Sequence, residues 1–208
     1  MKNHHLFASA ALLAASLFTS CASLAPEPVK PRITAPIVSY PDFKAQTSYP
    51  NTMEVYRNDQ VLARTNANNS KIRISLSAQR AFLMNGEEIA LDYPISSGDS
   101  SHSTATGRYT IQEMEIDKRS TCYGRVISSS GETLDSDADS RTASVPSGAS
   151  FVGAPMPFWM RLTWYGIGMH VGHLPGYPAS HGCIRGPEHI MPLVYSKARV
   201  GTPVHVVE

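Results

Sequence analysis

The chain has 208 residues, of which 42% are hydrophobic and 17% are charged, and its net charge is +1 at neutral pH. This length suits one domain of ordinary size with appendages, and the apolar fraction is large enough for a core. A nucleic-acid-binding protein shows a basic face or cluster, and the sequence contains none. The composition therefore argues against nucleic acid as a partner, and equally against binding to an anionic surface by charge alone.

The N-terminal 20 residues have the pattern of an export signal. After a positively charged start, an apolar run from residue 6 to residue 18 is too short to span a bilayer as a mature helix. The small residues before Cys21 resemble the lipobox of bacterial lipoproteins, although Leu17 stands one place earlier than usual. We predict a signal peptide at residues 1–20 and a lipidated Cys21 that holds the exported protein at a membrane. An ordinary secretory signal cut near Ala22 is the alternative.

If Cys21 is lipidated, the next residue bears on location. Ala22 stands where an Asp would signal retention in the inner membrane. In an organism with two membranes, the resemblance therefore implies a periplasmic protein anchored to the outer membrane.

The following segment predicts a tether that leads to a single domain. Residues 22–50 contain six prolines and few apolar runs, so an extended chain is expected over residues 21–50. Residues 51–69 are a transition, in which Asn51 is a candidate cap for a short helix containing Met53, Tyr56 and Val61. The domain itself is predicted over residues 70–208.

The domain begins with a pattern of period two. Apolar residues from Ile72 to Leu76 alternate with polar ones, as in a half-buried strand, and a second strand is predicted over residues 80–84. Asn85-Gly86 is a strong hairpin signal for a type I′ turn, after which residues 88–95 are predicted to form the returning strand. Further strands are expected from residue 108 and over residues 201–207, with one short helix between Pro187 and Arg199. The pattern predicts a mainly β sandwich or barrel with one or two short helices.

Residues 118–150 differ from the rest of the domain because they are rich in Ser, Asp and Gly and poor in aliphatic residues. The run from Asp135 to Asp139 is similar to a calcium loop, but Ser140 stands where an EF-hand requires Gly and Pro146 where it requires Glu. We therefore predict a long solvated loop that serves as a lid or a binding edge.

The segment Ser180-His181-Gly182-Cys183-Ile184-Arg185 carries the strongest chemical signal. Cys183 is the candidate nucleophile, and His170, thirteen residues upstream, is the candidate base. Gly182 lets backbone N–H groups approach a tetrahedral oxyanion. His181 is expected to orient the loop or assist the thiolate, and Ser180 to make a local hydrogen bond.

Arg185 and Tyr177 are the candidate substrate-binding residues. The guanidinium of Arg185 suits a substrate carboxylate, with a structural brace under the loop as the alternative. Tyr177 lies in the loop between the two catalytic candidates. In the same region, His173 is expected to be exposed, while Trp159 and Trp164 are expected to be core aromatics rather than a platform for a glycan.

The second cysteine of the domain admits two interpretations. A disulfide between Cys122 and Cys183 is chemically possible in an oxidising compartment but would block the nucleophile, so Cys122 is expected to be a small, partly buried residue. Cys183 with His170, His173 and His181 could also be a zinc set. No CxxC or HExxH spacing supports it, and no metal or other cofactor is predicted.

The complete pattern resembles the YkuD-type L,D-transpeptidase catalytic domain. Its signature is a His, a spacer and then Ser/Thr-His-Gly-Cys with an aliphatic residue and Arg or Asn, here His170 and residues 180–185. Residues 79–86, Ser97-Gly98, residues 104–107 and residues 201–204 are similar to other segments of the family. The spacer of nine residues after His170 is shorter than in many members.

The resemblance implies a β-sandwich that acts on peptidoglycan stem peptides. Cys183 would attack the L-centre of a diamino acid, release D-Ala and hold the acyl group as a thioester. The acceptor would be an amine of a neighbouring stem or of an anchored protein. A carboxypeptidase or a thiol peptidase that cleaves cross-links is an alternative, and a non-catalytic wall-binding lipoprotein is a third possibility of another class.

Overall fold

Two β-sheets dominate the fold. The structure is a computed structural model and describes residues 39–208. The first sheet has the strand order β1-β4-β3-β2-β11-β5 and the second the order β10-β9-β8-β6-β7. The strands of the first sheet are β1 (Tyr56–Arg57), β2 (Ser70–Ser75), β3 (Arg80–Asn85), β4 (Glu88–Pro94), β5 (Gly107–Thr110) and β11 (Pro203–Val207). Those of the second are β6 (Glu113–Ile127), β7 (Thr133–Asp139), β8 (Ser150–Arg161), β9 (Gly168–Val171) and β10 (Ile184–Gly186). The predicted mainly β fold is confirmed.

The apolar core is shared by the two sheets. In β2 the alternation seen in the sequence is realised, because Ile72 and Ile74 are buried while Arg73 between them is exposed. Burial of such side chains stabilises the fold by roughly 1.5–3 kcal/mol each. The core cluster also includes Leu83, Leu91, Val204 and Val206 of the first sheet, Met160, Met169 and Ile184 of the second, and Leu162 just after β8.

The hairpin between β3 and β4 is present, but its turn differs from the prediction. Asn85 pairs with Glu88, so the two central residues are Gly86 and Glu87. Only Gly86 has a positive φ, of 58°. Gly at the first central position is the pattern of a type II′ turn rather than of the predicted type I′, which requires a positive φ at both positions.

Three short helices complete the described fold: α1 (Tyr40–Lys44), α2 (Asp59–Arg64) and α3 (Met191–Ser196). The predicted C-terminal helix is α3, and it begins near Pro192 rather than near Pro187. The helix expected after Asn51 is instead α2, which Asn58 caps by accepting a hydrogen bond from the Val61 amide. Within residues 39–208, no helix is both long and apolar enough to cross a membrane.

Residues 39–69, which precede the predicted start of the domain at residue 70, pack onto that domain as part of one compact unit. Phe43 of α1 is buried, and Tyr40 and Tyr49 donate hydrogen bonds of 3.1 and 3.2 Å to Asp92 of β4. Aromatic side chains anchor this segment, which the proline count had assigned to the tether. The predicted signal peptide, the lipidation of Cys21 and the tether before residue 39 lie outside the described residues.

The predicted long loop at residues 118–150 is also wrong in its local structure. Its polar residues belong to a β-ribbon in which β6 pairs with both β7 and β8. The outward side chains of this ribbon are solvated, so composition alone gave the appearance of a loop. The register of β6 against β8 is broken between Arg119 and Gly124, and this irregular part of the ribbon lies beside the candidate site.

Candidate active site

Strand pairing brings His170 and Cys183 together from thirteen residues apart. β9 and β10 are parallel, with His170 opposite Arg185. Cys183 lies two residues before Arg185, immediately before β10 begins. His170 and Cys183 line one cavity of about 420 Å³.

The imidazole of His170 is buried and is oriented by the backbone. Its Nδ1 lies 2.7 Å from the carbonyl oxygen of Val171, which can only accept, so the Nδ1–H donates and Nε2 keeps its lone pair. Burial lowers the pKa of His170 from 6.5 to about 4, and the nearby charge of Arg185 acts in the same direction. At neutral pH the side chain is therefore an uncharged base.

The thiol of Cys183 is half-buried at the start of β10. Its Sγ lies 3.5 Å from the carbonyl oxygen of Gly166, to which it donates. Burial raises the pKa of the thiol, while the Gly168 amide and the charges of Arg185 and Arg161 favour the thiolate and oppose that rise. The resting site thus combines a neutral thiol with a neutral imidazole.

Ser180 and Gly182 hold the turn that precedes the cysteine. The Ser180 hydroxyl donates to the Cys183 carbonyl at 2.6 Å and accepts from the Gly182 amide at 3.1 Å. Gly182 has a φ of 103°, and a Cβ there would lie 2.7 Å from the Ile167 side chain. Ser180 makes the local bond that was expected, and because the Gly182 amide is occupied, the Cys183 amide is left as the candidate oxyanion donor.

A second brace under this turn comes from Thr104, a residue to which sequence reasoning gave no role. Its hydroxyl accepts from the Gly98 amide at 2.9 Å and donates to the Gly182 carbonyl at 2.7 Å. Gly98 is needed because a Cβ there would lie 2.0 Å from the His102 carbonyl oxygen. The sequence signal was only the resemblance of Ser97-Gly98 and residues 104–107 to family segments.

Arg185 presents its guanidinium to the cavity. Its backbone pairs with Ser96 at 2.9 and 3.0 Å, and its aliphatic stem fills the space beside Gly172. Among residues 39–208, no carboxylate lies within 4.0 Å of this guanidinium. The side chain is therefore placed and charged, yet its charge is not balanced by the described protein.

The cavity as a whole is cationic. Besides Arg185, it is lined by Lys118, Arg119, Arg141 and Arg161, and no Asp or Glu lines it. Lys118 and Arg161 pair with Glu113 and Arg141 pairs with Asp139, and both carboxylates lie outside the lining. Clefts lined by one sign of charge attract ligands of the opposite sign. The wall thus includes residues of the ribbon formed by β6, β7 and β8, so the expectation of a binding edge in residues 118–150 agrees with its position.

His181 faces the ribbon and packs against aromatic rings. It stacks on Tyr123 with ring centroids 4.1 Å apart and meets the His102 ring edge-on at 4.6 Å. Arg141 in turn donates to the Tyr123 hydroxyl at 3.0 Å. These contacts favour the expected role of His181 in orienting the loop.

Other candidates from the sequence take different positions. The ring of Tyr177 is 61% exposed and lines neither this cavity nor its neighbours, so it is not brought to the site. His173 is exposed and Cys122 is half-buried and free, and both line the cavity. The core assignment of Trp159 is confirmed at 1% exposure. That of Trp164 is wrong, because it lies in a turn at the tip of β8 and is 72% exposed.

The described residues hold no group of three or more His, Cys, Asp or Glu side chains arranged to bind a metal ion. The cavity offers the thiols of Cys183 and Cys122, the oriented imidazole of His170 and several cations.

Comparisons with solved structures agree with this fold. The structure of an L,D-transpeptidase from Mycobacterium smegmatis is similar, with a TM-score of 0.52 and 21% identity over 67% of this chain and 59% of that one. An L,D-transpeptidase from Xylanimonas cellulosilytica has a TM-score of 0.50 and 18% identity over 69% of this chain and 62% of that one. The chain thus spans about three fifths of the length of these structures, and it matches none of the curated proteins compared.

These identities support the fold alone, whereas the family follows from a family model. The model of the L,D-transpeptidase catalytic domain, YkuD, matches residues 69–206, which is most of the described domain and includes both His170 and Cys183. The chain therefore belongs to the YkuD family of L,D-transpeptidase catalytic domains.

Proposed function

We propose that this protein is an L,D-transpeptidase that acts on peptidoglycan stem peptides through a thioester on Cys183. The observation that carries the proposal is the cavity in which an oriented neutral imidazole, a thiol and an unbalanced arginine face the same space. A stem peptide ending in D-Ala bears several carboxylates, which the cationic lining suits.

The first half-reaction forms the acyl-enzyme. His170 Nε2 accepts the thiol proton as Cys183 Sγ bonds to the carbonyl carbon before the terminal D-Ala. The Cys183 amide donates to the oxyanion, an interaction worth about 3 kcal/mol in other enzymes. The C–N bond then breaks, and the imidazolium returns the proton to the leaving amine. Arg185 pairs with the carboxylate of the departing D-Ala.

The second half-reaction transfers the acyl group. An acceptor amine attacks the thioester carbonyl and gives a proton to His170 while the new C–N bond forms. The C–S bond then breaks, and the proton passes to the sulfur. Water in place of the amine gives a carboxypeptidase by the same steps. The hydrogen bond from Nδ1 to the Val171 carbonyl leaves Nε2 free to accept a proton in each half-reaction and to return it.

The electrostatics suit a proton transfer that accompanies attack rather than a stable ion pair. Burial disfavours both the charged imidazole and the charged thiolate, so neither forms before the substrate arrives. Arg185 and Arg161 and the Gly168 amide then stabilise negative charge on sulfur as it develops.

The proposal is tested by incubation with disaccharide-tetrapeptide followed by mass spectrometry of products and protein. We expect a dimer lighter by one D-Ala and an acyl adduct on the protein. A tripeptide product would indicate hydrolysis, and unchanged substrate with folded protein would favour the non-catalytic wall binder. Cys183→Ala should remove the adduct, whereas Cys122→Ala should still form it. An adduct that survives Cys183→Ala would overturn the assignment.

We also propose that the protein is exported and held by lipid at Cys21 on the periplasmic side of a membrane, the outer one where two are present. The support is the small-residue run before Cys21 and the apolar segment that precedes it. Metabolic labelling with palmitate should mark the wild type but not Cys21→Ala. Equal labelling of both would refute the anchor.

A further inference from the structure

A second cavity lies directly beside the cationic one. It has a volume of about 380 Å³ and shares with its neighbour a wall made by Tyr165, Ile167 and His181. Gly182, which precedes the nucleophile, also lines it. A molecule that occupies the first cavity can therefore extend across this wall without leaving the protein surface.

The two cavities differ in the charge of their linings. The lining of the second contains no Lys, Arg, Asp or Glu and is instead rich in hydroxyl and aromatic groups: Ser101, Ser103, Thr163, Tyr109 and Tyr165. Hydroxyl groups both donate and accept, and aromatic rings offer apolar faces. A neutral ligand with many hydroxyl groups fits this lining, whereas a charged one would find no counter-ion there.

An exposed aromatic turn adjoins this cavity: Thr163 and Tyr165 line it, and Trp164 lies between them in the chain without lining it. Trp164 and Tyr165 are 72% and 79% exposed, at the tip of the connection between β8 and β9. The turn is fixed, because the Gly166 amide donates to the Thr163 carbonyl at 3.2 Å and the Ile167 amide to the Thr163 hydroxyl at 3.0 Å. Large, contiguous exposed aromatic side chains mark interaction sites in soluble proteins.

The ring of Trp164 is held in place as well. The guanidinium of Arg161 lies 5.4 Å from its centroid and is itself bonded to Glu113 at 3.2 and 3.3 Å. A ring that is ordered before binding loses little conformational entropy when a ligand stacks on it.

We propose that the Trp164–Tyr165 turn and the neutral cavity bind sugar rings of the glycan strand, while the cationic cavity holds the stem peptide attached to it. This inference rests on the proposed function, since it divides one glycopeptide between two cavities. The N-acetylated sugars of such a strand are uncharged and rich in hydroxyl groups, and the C–H faces of their rings stack on aromatic side chains. A lipid surface fits less well, because it would leave the hydroxyl groups of the cavity without partners.

The kinetic test compares disaccharide-tetrapeptide with the free tetrapeptide. We expect kcat/KM of the wild type to be about three- to tenfold higher for the substrate with sugars, the size expected of one or two aromatic contacts. Trp164→Ala should reduce this ratio to about one, and Trp164→Phe should keep part of it. Tyr177→Ala, which removes an exposed ring in a different loop, the one between β9 and β10, should leave the ratio as in the wild type. A ratio of one in the wild type, or a ratio unaffected by Trp164→Ala, would overturn the proposal.

A binding test decides the matter even if no substrate is turned over. Trp164 and Trp159 are the two tryptophans of the chain, and Trp159 is buried. In the Cys183→Ala protein, an uncharged disaccharide of N-acetylglucosamine, which has no lactyl carboxylate, should shift the tryptophan emission to shorter wavelength in a saturable manner. The shift should vanish when Trp164→Phe is added. No shift, or a shift that survives Trp164→Phe, would disprove the glycan site whatever the fate of the catalytic proposal.

Discussion

Two arginines show how differently the two sheets use charge. Arg80 of the first sheet is 0% exposed, bonds to Asp92 at 2.7 Å and donates to the carbonyls of Thr52 and Glu54 at 2.7 and 3.0 Å. Arg185 of the second sheet faces a cavity with no carboxylate within 4.0 Å among the described residues. A charge that the protein balances by itself serves the fold, and a charge that it leaves unbalanced beside a cavity is available to a ligand.

The cluster around Arg80 also explains how the N-terminal segment is held. Its guanidinium lies 5.6 Å from the ring centroids of both Phe43 and Tyr49, and Tyr49 bonds to the same carboxylate as Arg80. The cluster thus joins residues from α1 to β4 through one buried ion pair. In the cavity beside Cys183, Lys118 and Arg161 pair with Glu113 and Arg141 pairs with Asp139, whereas Arg185 pairs with no carboxylate among the described residues.

The largest effect is expected from breaking the closed network. Arg80→Met leaves Asp92 buried without its counter-ion, which should lower the free energy of unfolding by about 3–5 kcal/mol. Urea denaturation measures this change. The double variant Arg80→Met/Asp92→Leu should recover part of the loss, because no uncompensated charge then remains. An Arg80→Met protein as stable as the wild type would contradict the structural role of the pair.

The same kind of change at Arg185 should affect activity instead of stability. Arg185→Gln should lower kcat/KM for the tetrapeptide by about 10- to 100-fold, mainly through KM, because a charge-assisted bond to a carboxylate is lost. The free energy of unfolding should change by less than about 1 kcal/mol. Arg185→Lys should restore part of the affinity. If Arg185→Gln were destabilised as strongly as Arg80→Met, the residue would be a brace.

A smaller effect is expected from His170, the buried base of the cavity. Its pKa of about 4 in the folded protein is below the ordinary 6.5, so the unfolded chain takes up the proton first as the pH falls. Stability should therefore decrease on acidification, by roughly 2 kcal/mol between pH 7 and pH 5. Denaturant curves at the two pH values measure it. His170→Gln should lack this contribution, and an equal pH dependence in both proteins would refute the lowered pKa.

Sequence reasoning identified features that depend on local pattern. The alternation of Ile72 and Ile74 gave β2, and the spacing of His170 and Cys183 gave two residues that the structure brings to one cavity. It missed features that depend on distant partners. Nothing in the sequence near Asp92 indicates that Tyr40 and Tyr49, which lie 52 and 43 residues before it, bond to its carboxylate. Similarly, Trp164 was expected to be buried because its neighbours in the sequence are apolar. The turn that exposes it is visible only in three dimensions.

The position of the ribbon has a consequence for engineering. β7 is the outermost strand of its sheet and pairs only with β6, whereas His170 and Cys183 lie on or beside β9 and β10 at the other end. The wall of the cleft that residues 118–123 and Arg141 form can therefore be exchanged without rebuilding β9 and β10. Substitutions at this edge are therefore the natural way to change substrate selectivity while His170 and Cys183 stay unchanged.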